Sequence, residues 1–233
     1  MGVIQMKKRI GLIIMLIVIL VALTGCVNVD YEVEVNKNGS GEISYIYGFS
    51  KETLNNLQVS AEDMVESMKE QAEENSYTVE AYENDEISGF KAKKHIEDLT
   101  KDFSLQEAFG EEYVKDKENN GIKIEEGLFV TKYSQNAEID LTSMGDLSGN
   151  VKMTYKVKLP AKAKTNNATE VSKNSKELKW ELTAGEINKV EFVAQGINVL
   201  AIIITVIIIA VLVTGITMLL IFLKKKHATK KEN

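Results

Sequence analysis

The sequence predicts an α+β domain: a mainly antiparallel β-sheet with one long and one short helix, followed by a C-terminal transmembrane helix. Three observations lead there. Several segments alternate apolar and polar residues with period two, the mark of half-buried strands. Ala61, Met64, Val65, Met68 and Ala72 recur at helical spacing. Val199 to Leu223 is uncharged over 25 residues. As a helix it would be about 37 Å long, enough to cross a bilayer with some tilt.

The chain opens with Lys7, Lys8 and Arg9, then an uncharged apolar stretch from Ile10 to Leu23. That stretch is shorter than the ~20 residues a bilayer span needs. It has the n-region and h-region of a signal peptide. It ends in Leu23, Thr24, Gly25 and Cys26, which resembles a bacterial lipobox: an aliphatic residue, two small residues, then cysteine. Residues 1–25 are therefore expected to be a lipoprotein signal peptide. Cys26 is the expected lipidation site, its thiol carrying a diacylglyceryl group as a thioether.

In VNVDYEVEV, Val27, Val29, Tyr31, Val33 and Val35 share one face of a first strand. Asn38-Gly39 marks a hairpin, because positive φ is cheap there. Ile43, Tyr45, Tyr47 and Phe49 alternate in the partner strand. Ser50 and Ser60 are candidate N-caps, and Ser60 with Asp63 fits a capping box before the long helix. Tyr77–Tyr82 and Ile87–Ile96 form a second hairpin across Asn84, Asp85 and Glu86. A short helix over Leu105–Phe109 stops at Gly110. After a charged loop, Leu128–Tyr133 and Ala137–Leu141 are two further strands. Val151, Met153, Tyr155, Val157 and Leu159 alternate up to Pro160. Leu178, Trp180 and Leu182 alternate again, and Ile187–Val193 leads towards the membrane segment. Between them, Ala161 to Lys176 reads as a long polar connection with four lysines, a solvated hairpin tip or a contact for anionic headgroups.

Charge divides the chain the same way. The net charge of −6 conceals a segment between Cys26 and Gly196 with 20 basic and 33 acidic residues, a net of −13, between two basic flanks. The expected organisation is a signal peptide (1–25), an extracytoplasmic domain (26–196), a transmembrane helix (197–223) and a basic cytoplasmic tail (224–233). Lys224, Lys225 and Lys226 place the tail inside by the positive-inside rule. The domain then lies on the outer face of the cell membrane.

Composition excludes several functions. One cysteine cannot form an internal disulfide or a multi-cysteine zinc site. The acidic domain is a poor match for nucleic acid. His95 is the single histidine of the exported domain, with no serine-elbow motif elsewhere. The acidic loops around Asp85 and Glu86, and around Asp140 and Asp146, do not match an EF-hand. No catalytic residue, metal or cofactor is expected. Tyr45, Tyr47 and Trp180 could line a groove, but core packing explains them first.

Two stretches carry a family resemblance: the hairpin Asn38, Gly39, Ser40 and Gly41, and the strand with Trp180, Leu182 and Gly185. Together with the lipobox and the terminal helix, they resemble the LppM-like bacterial lipoprotein domain. The resemblance implies an envelope lipoprotein, with binding of an envelope lipid or glycolipid, and it implies no catalytic residues. The expected function is a non-enzymatic surface lipoprotein, held by a diacylglyceryl group and a transmembrane helix. Its exported domain binds an envelope lipid, glycolipid or partner protein. An envelope hydrolase using acidic residues is the alternative.

Overall fold

The computed structural model describes residues 27–114, 120–147 and 150–229. It has the α+β class expected. The strands are β1 (Val27–Val35), β2 (Gly41–Ser50), β3 (Thr78–Glu83), β4 (Ile87–Ile96), β5 (Lys123–Glu126), β6 (Val130–Asp140), β7 (Val151–Lys158), β8 (Lys162–Asn166), β9 (Glu170–Val171), β10 (Glu177–Leu182) and β11 (Ile187–Ile197). The helices are α1 (Lys51–Leu57), α2 (Ala61–Glu74), α3 (Leu99–Asp102), α4 (Leu105–Phe109) and α5 (Val199–Thr229). The strands form two sheets, β3-β4-β2-β1-β7-β10-β9 and β5-β6-β11-β8.

The local signals act as expected. β1 and β2 close across Asn36–Ser40, with Gly39 at φ +84° and Asn38 Oδ1 accepting from the Ser40 hydroxyl at 2.8 Å. Ser60 Oγ accepts from Asp63 N at 3.1 Å while Asp63 Oδ2 accepts from Ser60 N at 3.0 Å, a reciprocal cap on α2. Those bonds from Ser60 hold the exposed Asp63 carboxyl below its ordinary acidity range. Ala61 is buried, Met64 and Ala72 are half-buried, and the Met68 side chain is outside the described set. α2 lies against β3 and β4.

The core forms between the sheets. Odd-numbered residues of β1 and β7 and even-numbered residues of β10 share one face of the larger sheet. Tyr155 of β7 donates from its hydroxyl to Gln135 Oε1 of β6 at 2.8 Å. Trp180 of β10 meets Phe192 of β11 at 6.2 Å between ring centroids. Tyr31, Tyr155 and Trp180 stack in sequence at 5.8 and 5.6 Å. The opposite face of the larger sheet is a charged ladder, in which Glu32 pairs with Lys158, Glu80 with Lys93 and Lys179 with Glu170.

Several expectations need correction. There are two sheets rather than one, and β1 pairs β7 in parallel. The two strands expected around Leu128–Tyr133 and Ala137–Leu141 are one strand, β6. Two further short helices, α1 and α3, follow Ser50 and Asp98, whose side chains accept from Thr53 N and Thr100 N. The polar connection Ala161–Lys176 is ordered: β8 pairs β11 in one sheet and β9 pairs β10 in the other. Both are edge strands, where lysines on the rim are tolerated and no apolar stripe is required.

Gly89 permits the close pairing of β2 and β4. A Cβ there would run into the Tyr47 carbonyl oxygen, which belongs to the backbone and cannot swing away. Gly89→Ala is expected to destabilise the domain by about 1–3 kcal/mol, measured by chemical denaturation through the fluorescence of the sole tryptophan, Trp180.

Candidate functional site

The residues expected to form a lipobox, Leu23, Thr24, Gly25 and Cys26, lie outside the described residues. The first described residue, Val27, is already fixed, its N–H donating to Asn150 O at 2.8 Å. From there β1 runs to Val35 and the hairpin, where Lys37 meets the start of α5. At the usual strand rise the eight steps span about 26 Å. The end that follows Cys26 and the end that enters α5 are therefore opposite ends of one strand.

The other sequence candidates have structural roles. His95 is exposed and faces Glu97 Oε1 at 3.5 Å. Asn84 Oδ1 accepts from Glu86 N and Ile87 N, closing the β3–β4 turn. Asp140 Oδ1 accepts from Thr142 N and from its hydroxyl. Lys101 and Thr100 pull Asp98 down to about 2, as befits the N-cap of α3. The Lys93 ammonium lowers Glu80 as well. A general acid needs the opposite displacement, upward. Among the described residues no three His, Cys, Asp or Glu side chains gather into a metal-sized cluster. Trp180 is buried, its Nε1 donating to Asn167 Oδ1 at 2.7 Å. Tyr45 and Tyr47 are half-buried beside Tyr31, Tyr77 and Phe90. Burial, with neighbouring tyrosines, raises the phenols of Tyr31, Tyr45 and Tyr47, so these hydroxyls stay neutral.

Two of the concave places among the described residues are compared. A groove of about 720 Å³ runs along the outward face of the smaller sheet, between β5, β6 and β11. Its charges are largely spent on each other: Lys132 pairs with Glu125 at 3.1 Å, and nearby Lys189 pairs with Glu138 at 3.2 Å. It has no exposed aromatic platform, so it is a solvated sheet face.

The second is smaller, about 320 Å³, and lies where the domain meets α5. Lys37 of the β1–β2 turn, Tyr133 of β6, Pro160 after β7 and the first residues of α5 converge there from four separate parts of the chain. Tyr133 donates to Lys37 O at 3.5 Å. Ala161 is on its wall, while Lys162, registered against Gln195, takes the other face of the smaller sheet with Lys132. The turn Ser172–Lys176 returns to the same end, where Leu159 N donates to Lys176 O and Ala163 N to Ser175 O. Lys37, Lys162 and Lys176 are at the end that bears the apolar helix, as is Glu126, whose charge adds to burial in raising the Tyr133 phenol. α5 holds an apolar stretch, Val199–Ile221, with a mean hydropathy of 3.2 and no part of it buried in the protein.

Sequence reasoning missed this junction because no single segment contains it. It also gave no structural role to Asn167, whose side chain satisfies Trp180 and Glu191 N and donates to Lys189 O. A polar residue in a polar stretch carries no sign of such a role.

Comparison with known proteins gives three findings. The model of the LppM domain family matches residues 27–196. No curated protein matches. Among solved structures, the folded domain of the Mycobacterium tuberculosis LppM protein, determined by NMR, is similar over 75% of this chain and 92% of that chain. The two are 14% identical, with a TM-score of 0.45.

Proposed function

The chain belongs to the LppM domain family, and from that premise we propose that it is a non-enzymatic lipoprotein of the cell envelope. In this reading Cys26 carries a diacylglyceryl group and α5 spans the membrane. The domain lies on the outer face, and the basic segment after α5 lies inside. The domain binds an anionic lipid or glycolipid headgroup in the junction pocket. The observation that supports this reading is the pocket's place: it opens against the first turn of α5, which a spanning α5 would hold at headgroup level. Its wall carries Lys37. The domain as a whole, with a net charge of −13, repels anionic lipid. The return of the Ser172–Lys176 turn to this end gives physical content to a headgroup contact by the Ala161–Lys176 segment.

The test is lipid retention by the full-length protein in nanodiscs, read by native mass spectrometry. Wild type should retain phosphatidylglycerol in preference to phosphatidylcholine. Lys37→Glu should weaken that retention by about tenfold, the loss expected for one charged hydrogen bond at a part-exposed site. Equal retention of both lipids by both proteins would remove the junction pocket as the binding site.

A further inference from the structure

Outside α5, large apolar side chains are exposed singly at Val59, Val171 and Ile187 among the described residues. They are exposed as a group in one place. Leu128 is 69% exposed, Phe129 40%, Val130 41% and Ile197 69%. Leu128 and Phe129 are the two central residues of the turn between β5 and β6, closed by Gly127 N donating to Val130 O at 2.9 Å. Such positions favour Gly, Pro, Asn, Asp and Ser. Leu128 above all gains little from the fold there, since it is 69% exposed, and Phe129 keeps 40% of its surface open.

What covers them is indicated by their neighbour. Val130 is registered against Ile197, the last residue of β11. Asn198 then donates from its N–H to Phe129 O at 2.8 Å. Asn198 also caps α5, its Oδ1 accepting from Ala201 N at 3.1 Å. The Leu128-Phe129 turn is thus hydrogen-bonded to the residue at which the apolar helix begins. Wherever Val199–Ile221 enters a bilayer, this turn lies at the same depth.

We infer that the Leu128-Phe129 turn is a membrane wedge, inserted into the interfacial layer of the leaflet that α5 enters from the domain side. Aromatic and aliphatic side chains favour that layer, where an apolar body is buried while adjoining backbone stays wet. The inserted turn fixes the domain to the first turn of the span at two points instead of one. This inference rests on α5 spanning the membrane. It does not depend on a headgroup occupying the junction pocket.

The test uses the full-length protein in phosphatidylcholine vesicles containing lipids brominated near the glycerol end of the acyl chain. Three proteins are compared: wild type, Phe129→Trp and Leu212→Trp. Trp180 is 3% exposed and provides an internal baseline whose emission also reports folding. Phe129→Trp is expected to lose about half of its added emission to the shallow quencher, as for a side chain buried ~5–10 Å into the interface. Leu212→Trp should respond instead to lipids brominated deep in the chain. A quenched Leu212→Trp beside an unquenched Phe129→Trp would overturn the wedge while leaving the span intact. An unquenched Leu212→Trp would remove the span on which the wedge depends, and overturn it too. A blue-shifted Phe129→Trp that brominated lipid leaves untouched would mean that protein covers the turn, and that outcome also overturns it. Leu128→Trp repeats the measurement should the Phe129 variant misfold.

Discussion

Tyr155→Ala is expected to cost the domain about 3–5 kcal/mol, a large share of the ~5–15 kcal/mol typical of a domain this size. Tyr155 is fully buried at the centre of β7. Its ring stacks on Tyr31 and Trp180 and meets Phe109 edge-on at 6.4 Å. Its hydroxyl is the link from the larger sheet to Gln135 in the smaller one, and Gln135 in turn donates to Asn120 O at 3.1 Å. Truncation therefore opens a cavity and leaves the buried Gln135 oxygen without its donor. Tyr155→Phe separates the two effects. It keeps the ring and removes the donor, so it should cost about 1–3 kcal/mol. Both are read by urea denaturation of the full chain followed through Trp180, which stacks directly on Tyr155. A Tyr155→Ala protein within ~1 kcal/mol of wild type would mean that the sheets do not share this core.

The same pair explains one limit of the sequence reading. β6 looked like two strands because Ser134, Gln135 and Asn136 interrupt its apolar alternation. Gln135 nevertheless points inward and is 3% exposed, because Tyr155 and Asn120 supply its partners. A buried polar residue is indistinguishable from a solvated one until its partner is known. β1, β7 and β10 were legible because each carries its own period-two pattern. The parallel pairing of β1 with β7 was not, since more than a hundred residues separate them and a pattern does not name its neighbour. Leu128 and Phe129 read as the start of a strand, because an apolar residue seen in sequence is taken for core. The lipobox-like pattern of Leu23 to Cys26 is wholly local, so the sequence alone suggests it. The junction pocket is assembled from four segments and could not.

Cys26→Ala is expected to abolish labelling by a palmitate analogue while α5 keeps the protein in the membrane. Equal labelling of variant and wild type would end the proposal that Cys26 carries lipid. A second consequence follows from geometry. No linker separates Cys26 from β1, which is tied to Asn150 from its first residue. The start of α5 is about 26 Å away, at the far end of that strand. A diacylglyceryl group reaches the bilayer from Cys26 only if this end of the domain comes down to the surface. With both anchors engaged, β1 must run nearly parallel to the membrane. With the lipid removed, the domain is free to stand on its lysine-bearing end. Lys152 reports the difference, since it is exposed and registered against Asn28 beside the end that follows Cys26. A fluorophore on Lys152→Cys should transfer energy efficiently to a headgroup-labelled acceptor lipid in the lipidated protein. Adding Cys26→Ala should lower that transfer, because the probe rises by up to the length of β1. Unchanged transfer, with lipidation confirmed by labelling, would show that the lipid does not set the domain's tilt.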